Sequence, residues 1–592
     1  MKKPKKKQTK KALKESWSSR IGVILAVAGS AIGIGNFLRF PGQIAEFGGG
    51  AFMIAYFIAF LVLGLPLCWA EWTVGRYAGR LGFHSIPGIV TAITKRPFGK
   101  YIGALCLVIP TIVFMYFVCV QSWCLGYALN FLFGKIHFTD AHDAAVFFAN
   151  FTGLENIGGS FQISWDKALP FLIVAFTANF ILIYRGVAKG IEWFCKFAMP
   201  ILLILALIVL GRVLTLGTPN PESAPDANIS NGLGFMWNPQ KTFLEAKRET
   251  TQGMQWIRQK EIVGENALIK AQSIIDQQGP EKLRLTTLTI SDQLKRPKLW
   301  LAASGQIFFS LAVGFGIIAT YASYLTRKDD IVLSALTATS ANEFTEVSLG
   351  GLITIPAAVA FFGVSGIAGN TSLFSLGFNV LPLVFSSMPA GSFFGFLFFF
   401  LLFLGSVSAC LSMLQPGIAF LEEALGFGRK GSVGTLSALM LMGTFLVAYY
   451  SFNLKALGTL DFWVGTFLIF VMSTIFIILF GWVLGVDKAF EEAHQGSALK
   501  LPKIYKPILK YLCPLFLITI FVSWLGMDVL GIGTDTLDHH IADLMGQESH
   551  TETMIVFASI ATILLVTFAF ITIAGKASIY KKELKKHACT NK

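Results

Sequence analysis

The sequence predicts an all-α polytopic membrane protein that crosses the bilayer about twelve times, with its first and sixth spans broken. Three observations carry this. Charged residues are 14% of the 592, against roughly 25% in soluble domains, and mean hydropathy is +0.64. Apolar stretches of the roughly 20 residues needed to cross lie near 20–46, 51–79, 99–134, 168–185, 190–216, 298–325, 333–363, 392–426, 431–450, 460–486, 504–527 and 552–575. Finally, Ala31-Ile32-Gly33-Ile34-Gly35 in the first span returns 281 residues later as Ala312-Val313-Gly314-Phe315-Gly316 in the sixth.

The net charge of +14 gathers largely at the two ends, MKKPKKKQTKKALK and KKELKKHACTNK. That distribution argues for a membrane surface and against a nucleic-acid partner. By the positive-inside rule both termini read as cytoplasmic, and an even number of spans agrees. The basic start runs into the first span without a small-residue cleavage site, so it does not read as a leader. Eight cysteines show no zinc spacing and predict no structural disulfide.

In the first span Gly29, Gly33 and Gly35 fall within seven residues, followed by Asn36, Arg39 and Pro41. Glycine costs a helix about 1 kcal/mol relative to alanine, so the backbone is invited to open. Opened backbone is tolerated at that depth only where protein or a cavity receives it. Its carbonyls, beside Asn36, are hard oxygen ligands suited to an alkali cation, and the half-helix amino end suits an anion. Gly29 and Gly33 equally fit a small-residue packing face. The repeat in the sixth span favours the site, because paired interruptions mark midplane binding sites in carriers.

Further along, Glu71 ends the second span and needs a partner in an apolar setting. It either braces a broken span or reaches an interface. The third span carries Tyr116, Phe117 and Gln121. Residues 217–297 form a long polar loop, expected outside, whose insertion over 242–297 has mixed charges and weak helical periodicity. It reads as a solvated decoration or as a lid. Asn342 and Glu346 stand four apart on one helical face. Gly405, Ser408 and Ala409 in the eighth span suit either close packing or an ion site. Asp461 opens the tenth, as a surface carboxylate or the partner of an arginine. No zinc-protease, phosphate-loop or nucleophile-elbow motif is present, so no enzyme is expected.

WSSRIGVILAVAGSAIGIGNFLRFP, GGGAFMIAYFIAFLVLGLPL, GQIFFSLAVGFGIIATYASYL, TIPAAVAFFG and LDFWVGT resemble the neurotransmitter:sodium symporter family, and its bacterial amino-acid carriers in particular. That family is itself an example of the paired-interruption rule. The resemblance covers Trp17 to about Tyr580, apart from the insertion. It implies an inverted repeat of spans 1–5 (20–216) and 6–10 (298–486). Outside these lie a basic segment (1–19), spans 11–12 (487–575) and a basic tail (576–592).

The resemblance also implies roles. A first sodium site would use Ala31, Asn36, Ser310 and Asn342, and a second Gly29, Ile32, Gly405 and Ser408. Substrate would lie among Ser30, Ala31, Ile34, Gly35, Val113, Phe117, Phe309, Ser310, Ala312, Phe315, Ala409 and Met413. Arg39, Asp461 and Phe309 would form an outer gate. Lys14, Trp17, Ser323, Tyr324 and Glu423 would form an inner one, and Glu71 would brace the sixth span. Gly33 replaces the aspartate of monoamine carriers, which leaves the substrate to bring its own carboxylate. Glu346 replaces a serine of chloride-dependent members and would substitute for chloride. Phe117 replaces the usual tyrosine, and Ala409 removes a hydroxyl from the second sodium site.

The expectation is a chloride-independent, sodium-coupled importer of a neutral, apolar amino acid in a cell membrane, by resemblance a bacterial inner membrane. The rival is a non-transporting amino-acid receptor on the same scaffold.

Overall fold

A computed structural model of the chain describes residues 15–154, 167–222, 224–250, 253–368, 373–532, 539–546 and 549–580. Among them nine helices are long and apolar enough to cross a membrane: Gly50–Arg80, Gly99–Leu132, Val187–Leu214, Ile331–Val364, Gly391–Leu425, Arg429–Tyr449, Phe452–His494, Tyr505–Met527 and His550–Lys576. Leu169–Tyr184 is a shorter apolar helix in the place of the fourth span. The first and sixth are the broken ones, which brings the elements into the predicted order. Ile173, Leu207, Leu441 and Phe568 stay exposed, as a bilayer-facing surface requires.

The first span begins at a capped end, where Ser19 Oγ accepts from Gly22 N at 3.1 Å. It runs Arg20–Ala31, opens, and resumes as Gly35–Phe47 at an angle of 44°. The sixth runs Pro297–Ser310, leaves helical geometry, and resumes as Ile317–Ala322. Within that gap Ala312, Gly314 and Gly316 have φ of 52°, 84° and 74°. This is left-handed backbone, in which alanine is uncommon. Gly314 has a second reason to lack a side chain, since a Cβ there would lie 2.4 Å from Ser473 Oγ and 2.8 Å from the Ile469 carbonyl.

The third span, Gly99–Leu132, and the eighth, Gly391–Leu425, pack together at the centre. Cys410 Sγ reaches Gln121 Oε1 at 3.2 Å, and the Tyr127 and Phe399 rings lie 5.0 Å apart. These two spans carry Val113 and Phe117, and Ala409 and Met413.

The insertion differs from the expectation. Its first half is not helical but a hairpin, β1 (Lys241–Thr250) and β2 (Gly253–Ile262). A helix, Glu265–Gln278, follows, and β3 (Leu283–Leu288) closes a sheet of order β2-β1-β3, both pairings antiparallel. Glu245 on the central strand holds it. Its Oε2 accepts from Arg284 Nη2 at 2.9 Å and Thr286 Oγ1 at 2.9 Å, and its Oε1 faces Arg258 Nε at 3.6 Å. Burial works to raise the Glu245 pKa, but Arg284, Thr286 and Arg258 together hold it below the usual carboxylate value.

Candidate functional site

The two breaks meet the seventh and eighth spans. At the first break the helix ends at Ile32, and Asn36 Oδ1 turns back to accept from Gly33 N at 2.8 Å. Asn36 thereby satisfies, with its own side chain, an amide that the break would orphan. Its Nδ2 donates to Asn342 Oδ1 at 2.9 Å. Asn342 Nδ2 donates to Ser310 Oγ at 2.7 Å and to Glu346 Oε2 at 3.2 Å. Ser310 Oγ donates to Glu346 Oε2, and Gln306 Nε2 donates to Glu346 Oε1 at 2.5 Å. Four predicted residues, Asn36, Ser310, Asn342 and Glu346, thus form one fully buried cluster. Among the described residues no Lys or Arg pairs with Glu346. A buried carboxylate served only by neutral donors favours a cation close by.

A second oxygen set lies between the first and eighth spans. Ser408 Oγ donates to the Gly29 carbonyl at 2.7 Å and the Gly405 carbonyl at 2.8 Å. A Cβ on Gly405 would stand 2.9 Å from Gly33 Cα and 3.2 Å from the Ile32 carbonyl. All four predicted members therefore converge. Oxygen donors of this kind suit hard cations.

The predicted substrate residues surround the breaks and are buried, apart from the partly exposed Ala31 and Phe309. Phe309 and Phe315 sit edge to face at 6.4 Å, and Phe309 presses on Gly35, where a Cβ would come within 3.2 Å of its ring. Ser30 turns its hydroxyl to the Val27 carbonyl at 2.7 Å. Glu71 accepts from Gly314 N at 2.5 Å, which puts a carboxylate on an amide of the opened sixth span.

The outer pair is not in contact. The Arg39 guanidinium lies 4.2 Å from the Phe309 ring centroid, a cation–π arrangement, while Asp461 accepts from Tyr116 Oη at 2.6 Å. On the opposite face, Trp17 Nε1 donates to the Tyr321 carbonyl at 3.1 Å. Ser323 Oγ and His84 Nδ1 lie 3.1 Å apart, and the His84 ring stacks on Tyr324 at 4.9 Å. Glu423 accepts from the amides of His84 and Ser85 at 2.7 and 3.0 Å. Lys14 falls outside the described residues.

A sequence profile of the sodium:neurotransmitter symporter family matches residues 14–146 and 283–577. The chain belongs to that family. An uncharacterized sodium-dependent transporter of Methanocaldococcus jannaschii is 27% identical over 520 residues, covering 85% of this chain and 89% of its own. The sodium-dependent serotonin transporter of Drosophila melanogaster is 24% identical, covering 86% of this chain and 76% of its own. The solved structure of MhsT in complex with L-phenylalanine shares the fold, with a TM-score of 0.67 at 24% identity, covering 86% of this chain and 99% of that one. The protein is thus a multi-pass membrane transporter that uses sodium, of a family of carriers and not of enzymes.

Within this symporter fold, several contacts escaped the sequence reading. Gln306 stands one helical turn before Ser310, a spacing that could have flagged it. Tyr56 Oη donates to Glu343 Oε2 at 2.8 Å beside the same cluster. Arg429 pairs with Glu15 at 3.4 Å and Gln415 Nε2 donates to Tyr324 Oη at 3.0 Å, so the face opposite the insertion is tied by more groups than the sequence motifs name. Nothing local marks Tyr56, Arg429 or Gln415, since these partners lie far off in the chain.

Proposed function

We propose that the protein is a chloride-independent symporter that carries a neutral, apolar amino acid inward with sodium. The observation that carries this is Glu346, a buried carboxylate that meets hydrogen-bond donors and, among the described residues, no basic side chain. It supplies in the protein the negative charge that a chloride ion would otherwise bring beside sodium. Sodium at Ala31, Asn36, Ser310 and Asn342 balances it, and the substrate carboxylate completes the coordination. The second sodium lies at Gly29, Ile32, Gly405 and Ser408, weakly held because Ala409 offers no hydroxyl.

The pocket has no acidic side chain at Gly33 to hold a bare amine. Val113, Phe309, Ala312, Phe315, Ala409 and Met413 offer apolar walls, which fits an apolar side chain. Phe117 has no hydroxyl, and Tyr116 is engaged with Asp461. The carboxylate is left to sodium and to the amide ends of the broken helices. Arg39, Phe309 and Asp461 close the pocket on the insertion side, taken as external. Trp17, Ser323, Tyr324 and Glu423 close it on the cytoplasmic side, with Glu71 holding the sixth span open. Sodium and substrate drive the alternation only through unequal affinity for the two states.

The test is uptake of a panel of labelled amino acids into proteoliposomes under inward sodium or potassium gradients, with and without chloride. Accumulation of apolar amino acids that needs sodium and ignores chloride is expected. A chloride requirement would remove the role given to Glu346. Sodium-dependent binding without accumulation would make the protein a receptor.

A further inference from the structure

The end of the fourth span, Leu169–Tyr184, and the start of the fifth, Val187–Leu214, meet on the face opposite the insertion, because the fifth span leads into the insertion loop at its other end. An open recess of about 590 Å³ lies at this turn, lined by Ser18, Arg185, Ala188, Lys189, Trp193 and Lys196. Arg185 also lines a groove of about 410 Å³ between the fourth span and the ninth, whose walls include Phe176, Phe180, Ile181 and Val433. One arginine thus joins a basic recess to a largely apolar groove. Both open toward the bilayer. Trp193 and Phe197, one turn apart on the fifth span, are 48% and 57% exposed, and Ile181 on the fourth is 53% exposed. A tryptophan at the end of such a stripe marks the headgroup level.

The charge around the recess does not cancel. Glu192 is committed to the protein: its Oε2 accepts from Ser18 N at 2.8 Å, and its Oε1 accepts from Ser19 Oγ at 2.8 Å and pairs with Lys196 at 2.8 Å. Glu15 and Glu422 face Arg429 at 3.4 and 3.8 Å. Arg185 and Lys189 are exposed and enter no ion pair among the described residues. With Lys430, next to Arg429, five cations stand against three carboxylates, a surplus of two. The helix end of the fourth span and the helix start of the fifth carry opposite partial charges, which offset one another. From Arg185 back to Phe176 the groove spans about 14 Å at 1.5 Å per residue. One leaflet's share of a hydrocarbon core is about 15 Å.

We propose that the recess and groove bind a phospholipid whose headgroup carries two phosphates, in the leaflet opposite the insertion. An acyl chain lies between the fourth and ninth spans, and Arg185 and Lys189 hold the phosphates. Three features select this ligand. The cations stand only at the headgroup end, the groove has the length of a chain running from headgroup to midplane, and a surplus of two positive charges matches two phosphates better than one. Basic pockets between spans suit such headgroups. The same turn is tied to the start of the first span, where Ser18 and Ser19 bind Glu192. A lipid seated there therefore bears on the segment that leads into the first break.

The test is native mass spectrometry of the delipidated full-length protein with phosphatidylglycerol phosphate and with phosphatidylglycerol of the same acyl chains. The two lipids differ by a single phosphate, so the comparison reads the second contact and not the first. Thermal melting is followed in parallel, with glycerol bisphosphate as a chain-free control. A second phosphate beside these cations predicts a preference for phosphatidylglycerol phosphate of roughly tenfold. R185Q/K189Q should erase that preference. T177W, which fills the groove from an exposed position on the fourth span, should weaken both lipids. Melting midpoints close to that of the native chain verify that both variants fold, and the comparison on the native chain stands without them. Equal binding of the two lipids, a preference that survives R185Q/K189Q, or full binding to T177W would each overturn the proposal. So would stabilisation by glycerol bisphosphate equal to that by the lipid, or a chain dimer that excludes lipid from this face.

Discussion

The two breaks share a five-residue pattern but not a structure. Over Ala31–Gly35 the backbone opens briefly and Asn36, from the same span, repairs it. Over Ala312–Gly316 three residues take positive φ, and the repair comes from Glu71 on another helix. The same glycine spacing therefore sets where a helix can open, while its neighbours decide how far. The first break is repaired from within its own span; the sixth depends on its surroundings.

The largest contrast should come from alanine at matched glycines. Gly314→Ala meets both a positive φ and Ser473 and Ile469, and should destabilise by about 2–4 kcal/mol. Gly33→Ala has nothing nearer than the Gly405 carbonyl at 3.5 Å and should cost less than about 1 kcal/mol. Thermal melting in detergent compares the two, and equal losses would erase the distinction between the breaks.

Next come the repairing side chains. Glu71→Ala leaves the Gly314 amide buried and unpaired, at a cost of about 1–3 kcal/mol, whereas Glu71→Gln keeps an acceptor and should cost less. Asn36→Ala leaves the Gly33 amide unpaired, at a cost of about 1–3 kcal/mol, and under the proposed function it also removes an ion ligand. Its sodium affinity, read by titration of the purified protein, should fall further than its melting point suggests.

Glu346→Gln tests the region joining the breaks. Removing the buried charge should weaken sodium binding at least tenfold, with partial recovery in chloride. Titration in chloride and gluconate salts reads this; an unaltered affinity in both would separate Glu346 from the ion site.

The smallest effect lies outside both breaks. The pKa of Glu245 is lower folded than unfolded. Its stabilisation is therefore complete above the unfolded carboxylate value of about 4.3 and fades as pH falls through the lower folded value. Glu245→Gln should flatten that acid limb in hydrogen exchange over 241–288, leaving sodium binding untouched.

Much of this was legible because membranes impose it. Apolar runs give spans, and the four-residue spacing of Asn342 and Glu346 survives as one side of the buried polar cluster. The hairpin of the insertion was hidden for a physical reason. Lys241 and Glu245 are the buried side chains of its central strand among those described, so a charged network replaces the apolar alternation by which strands are read. The contact of Asp461 was not legible, because Tyr116 takes the carboxylate and Arg39 rests on Phe309. The partner of a gate residue depends on which way the molecule is open.

The approach of Gly405 to Gly33 has a consequence for discrimination among ions. Two α-carbons with no side chain between them have no rotamers through which to yield. The spacing of the first and eighth spans there is fixed by van der Waals contact of backbone atoms, and the carbonyls of Gly29, Ile32 and Gly405 inherit it. An ion held by those oxygens is gauged by a contact as stiff as the backbone. Adding one methyl group at Gly405 would reset that gauge toward a larger ion, potassium before sodium.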